Sequence, residues 1–291
     1  MAAVTNVTTL SNGFTVNRVL SARVAPEFAK GVVLVPLIYS EDLPEGMGTM
    51  VKGFKREGSM NSSPVLAEAT AGALGSPRVD VVVNATASKV VRMDGISFEN
   101  QKFGMSQVAS YAKSQARQIA RAVDNAGLAL FPSITNQVDC AGAITLEKLD
   151  DAQLLILQSE VPDSDKDLCF VGSSKAFRNL KSDIRNSAGS AFVSERFLSI
   201  FDGAPKANGH FGYLPGMNLY HTPSGLTAVS AQSSQALFHP DWAFAGMFDK
   251  KISVLTTDIG AGGLYTELIS YYFSAQILWN DEAAVEILST T

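Results

Sequence analysis

Residues 106–130, SQVASYAKSQARQIARAVDNAGLAL, constrain this chain more than any other stretch. No proline interrupts them, alanine recurs throughout, and apolar positions return at helical spacing, so they read as one rigid helix of about 30 Å. The expected span is 107–126, with Ser106 as N-cap, Gly127 as the stop, and Leu128 set to touch Val123 in a Schellman ending. Val108, Ala112, Ile119, Val123 and Ala126 form one stripe whose small members allow close approach to a sheet. Lys113, Arg117 and Arg121 fall at i, i+4 and i+8, a row of like charges that is locally unfavourable by a few tenths of a kcal/mol per pair. Two readings stay open for that row: a solvated face, or a face turned toward phosphates or a neighbour's carboxylates.

Around this helix the chain alternates between strand and helix signals. Residues 1–30 are rich in Thr, Asn, Ser and Val without a helical period and read as an extended arm. Gly31–Ile38 is an apolar run of strand length, with Arg78–Val83 as its expected antiparallel partner and Pro36 marking an edge. The connection between them, residues 39–75, holds six glycines and two prolines, and is too long for an ordinary loop in a compact domain. It is either a disordered loop or a projecting hairpin of on the order of 50–60 Å, with a short helical stretch at 64–71 and charges at Lys52, Lys55, Arg56 and Glu57.

A second helix is expected from Thr145, with Ile144 and Leu149 as a hydrophobic staple and Glu147 in the first turn, closing before Val161-Pro162. Asp167–Val171 reads as a buried strand, and Ser173 or Ser174 as the cap of a short helix through Lys175–Leu180. From about residue 227 strands dominate, ending in Tyr271–Leu278, a turn at Trp279–Glu282 and a period-two strand at Ala283–Leu288.

The sequence offers little that resembles catalytic machinery. His210, His221 and His239 lack metal-ligand spacing. GxSxG, GxxxxGK[ST] and GxGxxG are absent, and Gly260-Ala-Gly-Gly263 reads as a turn. The pairs Asp150/Asp151 and Asp163/Asp165 fit solvated positions, and Cys140 and Cys169 fit buried thiols. No cofactor, metal or catalytic residue is expected, although a soluble α/β enzyme with a site built from scattered residues remains a third reading. The N-terminus lacks a secretory pattern and no stretch has the length of a membrane span, so residence in a cytoplasm is expected and the triplets at Asn6, Asn61 and Asn84 carry no glycosylation meaning. A net charge of −5 argues against a dedicated nucleic-acid reader. A charged fraction of 18% fits a protein packed against other subunits, or equally a large soluble enzyme.

In order, these pieces resemble the major capsid proteins of tailed bacteriophages, whose Hong Kong 97-type fold is shared with encapsulins. The resemblance covers nearly the whole chain. It rests on the arm, the long hairpin, Asp94-Gly-Ile-Ser-Phe98 leading into the long helix, and Thr145–Leu155 followed by Val161-Pro162, Asp167–Val171 and Lys175–Leu180. Gly212–Tyr220 is similar to a family strand with a G-x-x-G-x-x-V/L-Y pattern, and Trp242, Phe248, Ile252–Leu255 and a Tyr271–Leu288 hairpin look like the closing strands.

The resemblance implies an α+β fold: an N-terminal arm (1–30), an E-loop hairpin with flanking strands (31–98), a peripheral domain (99–140 and 227–291) with the spine helix, and an axial domain (141–226). It implies a non-enzymatic viral structural protein, located in the virion capsid after assembly in the host cytoplasm. Copies would form pentamers and hexamers of an icosahedral shell around double-stranded DNA, the alternative being an encapsulin-like compartment. Lys113, Arg117 and Arg121 would then face DNA, and Lys52, Lys55, Arg56 and Glu57 would make the E-loop's contacts with neighbouring copies. A portal, a separate scaffolding protein and a decoration protein are the further partners implied, with no membrane.

Overall fold

The computed structural model describes residues 15–16, 27–29, 31–42, 51–55, 78–82, 84–94, 104–159, 161, 167–187, 209–222, 226, 228–229, 232–248, 253–259 and 265–290. The long helix, α1, runs Gly104–Leu128, several residues beyond the expected span at its start. Ser106 lies inside it, so that cap assignment is wrong. Gly127 is wrong as a stop too, because Ala129 N–H still donates to the Asn125 carbonyl at 3.0 Å.

What Gly127 provides is proximity. A Cβ there would collide with the Leu34 side chain and Gln276 Oε1, and Gln276 Nε2 donates to the Val123 carbonyl of α1 at 2.9 Å. Gly127→Ala should therefore lower stability by about 1–3 kcal/mol by overpacking, although alanine is the better helix former by about 1 kcal/mol. Urea unfolding checks it; a variant more stable than the parent would show that propensity wins. The buried side of α1 carries Ala116, Ile119, Ala120, Val123 and Leu128. Ala126 is exposed, a correction to the stripe: it sits three residues past Val123 but on the wrong side of the arc that meets the sheets.

Two sheets organise the rest. The first has the order β1 (Thr15–Val16), β13 (Ser253–Ile259), β14 (Tyr265–Leu278), β12 (Phe244–Phe248), β2 (Tyr39–Asp42), and β5 (Asn84–Asp94) also pairs β14. The second has the order β6 (Gln137–Asp139), β15 (Ala284–Thr290), β11 (Gln232–Phe238), β7 (Leu168–Gly172), β9 (Met217–His221), β8 (His210–Leu214), with β10 (Ala228–Val229) on β11. A separate ladder joins β3 (Val51–Lys55) to β4 (Arg78–Val82). Two further α-helices among the described residues are α2 (Leu146–Gln158) and α3 (Ser174–Ser187).

Sequence alternation divides the second sheet between two cores. Phe170, Leu237, Val285 and Ile287 face the cluster that holds Leu149, Ile156, Phe177 and Leu180 of α2 and α3. Cys169, Val171, Ala236, Phe238 and Ala284 face the other way, into the cluster with Ile119 and Val123 of α1 and Phe244 and Tyr272 of the first sheet. The sheet is thus buried on both sides.

The α2 start is as expected: Thr145 Oγ1 accepts from Lys148 N–H at 3.4 Å, and Ile144 and Leu149 are both fully buried. Ser173 caps α3, accepting from Ala176 N–H at 3.2 Å, and that helix continues past Leu180 to Ser187.

Four further expectations are overturned. Gly31–Ile38 is no strand: Leu34 is helical (φ −80°, ψ −40°) and a 3₁₀ turn with Pro36 spans Val35–Leu37, so the strand begins at Tyr39 and runs parallel to β12. The partner of Arg78–Val82 is Val51–Lys55, further along the long connection. Gly212–Tyr220 folds back on itself as the β8–β9 hairpin, because Gly216 takes φ +78° in the turn. Tyr271–Leu278 and Ala283–Leu288 do not pair; a 3₁₀ turn at Asp281–Ala283 carries the chain from the first sheet to the second. At the end of the arm residues 27–29 are helical, as is residue 31 just past it, with Val32 N–H donating to the Phe28 carbonyl at 3.2 Å. The stretches 64–71 and 260–263 and the pair Asp163/Asp165 lie outside the described residues.

Candidate functional site

The root of the arm is fastened to α1 by charge and by backbone capture. Glu27, its side chain only 15% exposed, faces Arg117 Nη2 at 3.6 Å and Lys113 Nζ at 4.0 Å. Two of the three residues in the basic row are therefore engaged by the chain's own carboxylate, which offsets the repulsion expected along the row; Arg121 is exposed. One helical turn beyond Arg121, the buried Asp124 accepts from Val33 N–H at 3.0 and 3.2 Å and from Leu34 N–H at 3.0 Å. Those are backbone donors that a strand at 31–38 would have spent on a neighbour. Burial pushes the Asp124 carboxyl up to about 6, and the two backbone N–H groups oppose that shift without cancelling it.

The expected hairpin residues divide. Lys52 stands opposite Val81 and Lys55 opposite Arg78 in the β3–β4 ladder, while Arg56 and Glu57 lie outside the described residues.

A second surface is built by α2 and α3, side by side on one face of the second sheet. On α2, Asp150, Asp151, Leu154 and Leu157 share the face opposite the buried Leu149, Ala152 and Ile156. Leu154 and Leu157 are 53% and 52% exposed. Beside them a groove of about 530 Å³ opens between α2 and the β8–β9 turn, lined by Leu146, Asp150, Gln153, Leu214 and Pro215 among others. Burial and the neighbouring Asp151 raise the Asp150 carboxyl. On α3 the exposed face carries Lys175 and Arg178.

Sequence reasoning missed one close polar pair. Ser174 Oγ and His221 Nε2 lie 2.6 Å apart, tying the start of α3 to the end of β9. Burial lowers the His221 pKa, favouring the neutral ring. The nucleophile-like geometry could not be read from spacing, since the residues are 47 positions apart. His239 is fully buried where β11 ends, its ring Nδ1 accepting from Asp241 N–H at 3.4 Å. Cys140 and Cys169 are free thiols, and burial pushes them up to about 11 and about 12. Among the described residues no three His, Cys, Asp or Glu are grouped to hold a metal ion, and no helix is long and apolar enough to cross a membrane.

Comparison with solved structures decides what kind of fold this is. The chain aligns with one from Mycobacterium phage Che8 over 88% of its own length and 90% of the other's, at TM-score 0.62 and 14% identity. The capsid of Ralstonia phage GP4 aligns over 88% and 87%, at TM-score 0.63 and 9% identity. The chain has a phage-capsid fold. This capsid fold extends to the holo-SrpI encapsulin complex of Synechococcus elongatus, which aligns over 99% and 96% at TM-score 0.57 and 11% identity. No protein-family model and no curated protein sequence matches the chain. The capsid fold is thus carried by packing pattern, at identities where residue-by-residue correspondence has been lost.

Proposed function

We propose that the chain is the major capsid protein of a tailed bacteriophage, with copies forming pentamers and hexamers that close into an icosahedral shell around double-stranded DNA. The observation that carries this reading is two-way coverage: alignment with the capsid chains of phages PhiM1 and GP4 takes in 88–89% of this chain and 87% of each of theirs.

In this reading the arm is residues 1–30, the E-loop with its flanking strands 31–98, the peripheral domain 99–140 and 227–291 with α1 as spine helix, and the axial domain 141–226. The second sheet draws β7, β8 and β9 from the axial segment and β6, β10, β11 and β15 from the two segments given to the peripheral domain, so the two domains would share it. Lys52, Lys55, Arg56 and Glu57 contact adjacent copies. The Lys113, Arg117 and Arg121 row has two roles: Lys113 and Arg117 clamp Glu27 of the arm, and the row as a whole offers positive charge to packaged phosphate, read without sequence preference. A portal, a separate scaffolding protein and a decoration protein are further partners, with assembly in the host cytoplasm and residence in the virion. An encapsulin-like compartment is the second reading, favoured by the 99% alignment with the encapsulin chain.

Negative-stain imaging of the purified protein should show shells or five- and six-fold rings. Particles from infected cells should hold nuclease-protected DNA whose retention falls with salt, and neutralising Lys113, Arg117 and Arg121 should flatten that salt dependence. Small uniform globules at high concentration would overturn the shell; shells holding a protein cargo and no DNA would transfer it to the second reading.

A further inference from the structure

On the shell reading, the surface formed by α2 and α3 raises a question about what covers it. Two leucines at i and i+3, each more than half exposed, stand on α2 beside an open groove. A single exposed leucine is ordinary, but two neighbouring ones on the helix that walls a groove through Leu146, Asp150 and Gln153 mark a docking face. The two helices also differ in charge. The α2 span carries Glu147, Asp150 and Asp151 against Lys148 alone, and Lys148 is already held by Asp151 at 3.0 Å. The α3 span carries Lys175, Arg178, Lys181 and Arg185 against Asp183, which is occupied in accepting Leu146 N–H at 2.9 Å.

Both helices lie on the same face of the same sheet, so one copy presents an acidic, leucine-bearing face and a basic face within a single layer. Two different patches that complement each other make a heterologous contact, which closes a ring where its rotation divides the full turn and otherwise runs on as a filament; on the shell reading it is the ring-closing kind. We infer that the α2 face of one copy, centred on Leu154 and Leu157 with Asp150 and Asp151, docks against the α3 face of the next, centred on Lys175 and Arg178. The occupant is a second copy of this chain. The leucines cover apolar surface and the charges set register and direction, since two α2 faces brought together would place carboxylates against carboxylates.

Charge exchange tests the contact while leaving both helices' buried faces intact. The full chain is prepared as four proteins: parent, Asp150→Lys/Asp151→Lys, Lys175→Glu/Arg178→Glu, and the combination of all four substitutions. Each is sized by sedimentation velocity and imaged, with circular dichroism to verify folding. The expected result is that either reversal alone lowers the assembled fraction at least tenfold, and that the combination restores most of it. Leu154→Asp/Leu157→Asp should lose assembly with no rescue. A parent that assembles while both reversals assemble as well as it does would overturn the contact and leave the shell reading standing. Two defective reversals without recovery in the combination, in folded proteins, would also overturn it. A parent that stays monomeric at every concentration would overturn the shell reading itself, and the contact with it.

Discussion

Phe238→Ala is expected to lower the unfolding free energy by about 3–5 kcal/mol. The ring is fully buried at the end of β11, and it is the point where the second sheet meets the α1 side of the molecule. It packs edge-on to Phe244 of β12 at 5.0 Å between centroids and against Phe131 at 6.4 Å. Phe238 therefore couples the two sheets, which share no strand. Its own backbone is pinned on both sides, opposite Ala284 in β15 and Cys169 in β7, so the site has little freedom to collapse into the space left behind. That lack of relaxation places the cost near the upper end of the range for large-to-small substitutions.

Denaturant unfolding of the unassembled chain is the proper measurement, because association stabilises folded chains by mass action and would mask part of the loss. A loss under about 1 kcal/mol, well below the usual cost of emptying a buried aromatic site, would show that the sheets are held together elsewhere. Leu154→Ala, on the exposed face of α2, is the internal contrast. It removes no core contact and should leave the stability of the single chain nearly unchanged.

Local signals in the sequence translated well into local structure. Thr145, Ile144 and Leu149 announce the start of α2 because cap and staple act within one helical turn, and Leu168–Gly172 is as fully buried as its unbroken apolar run implies. The α1 helix was legible for the same reason, although its end was misjudged: a glycine that admits Leu34 and Gln276 looks, in sequence, like a glycine that ends a helix. The failures share a non-local cause. Residues 31–38 have the composition of a strand, and what prevents one is a carboxylate some 90 positions away. Tyr271–Leu288 looks like a hairpin because two apolar strands flank a short turn, yet each strand finds a better neighbour in a different sheet.

The site was less legible than the fold. The basic row was visible as a pattern on one helix face, but Glu27, which lies across from it, could only be placed by tertiary structure. Likewise, cap and staple place α2 without saying which of Leu154, Ile156 and Leu157 face inward. Only the docked helix shows that Ile156 is inside while Leu154 and Leu157 are out.

Asp124 is where fold and pH behaviour meet. Its carboxylate holds the backbone of Val33 and Leu34 against α1, at the point where the arm's root passes into the 3₁₀ turn that precedes β2. Because burial pushes this group up to about 6 from an ordinary value of 3.8, the folded chain binds more protons than the unfolded one between those two values. Stability from this group is therefore fully present below about pH 4 and is lost as pH rises through about 6, by about 3 kcal/mol in all. The protein should lose unfolding free energy along that interval, against the usual trend for paired surface carboxylates.

Asp124→Asn keeps an oxygen that can accept from both Val33 and Leu34 while removing the titration, so the stability of that variant should be flat over the same interval apart from the contributions of other groups. Asp124→Ala should be less stable than Asp124→Asn at every pH by about 1–3 kcal/mol, because it leaves buried N–H donors without their acceptor. Unfolding free energies of the parent and the two variants, measured from about pH 4 to about pH 8 so as to bracket the shifted carboxyl, separate these outcomes. Parallel profiles for the parent and Asp124→Asn would mean that the carboxylate ionises at an ordinary pKa, and that water reaches it.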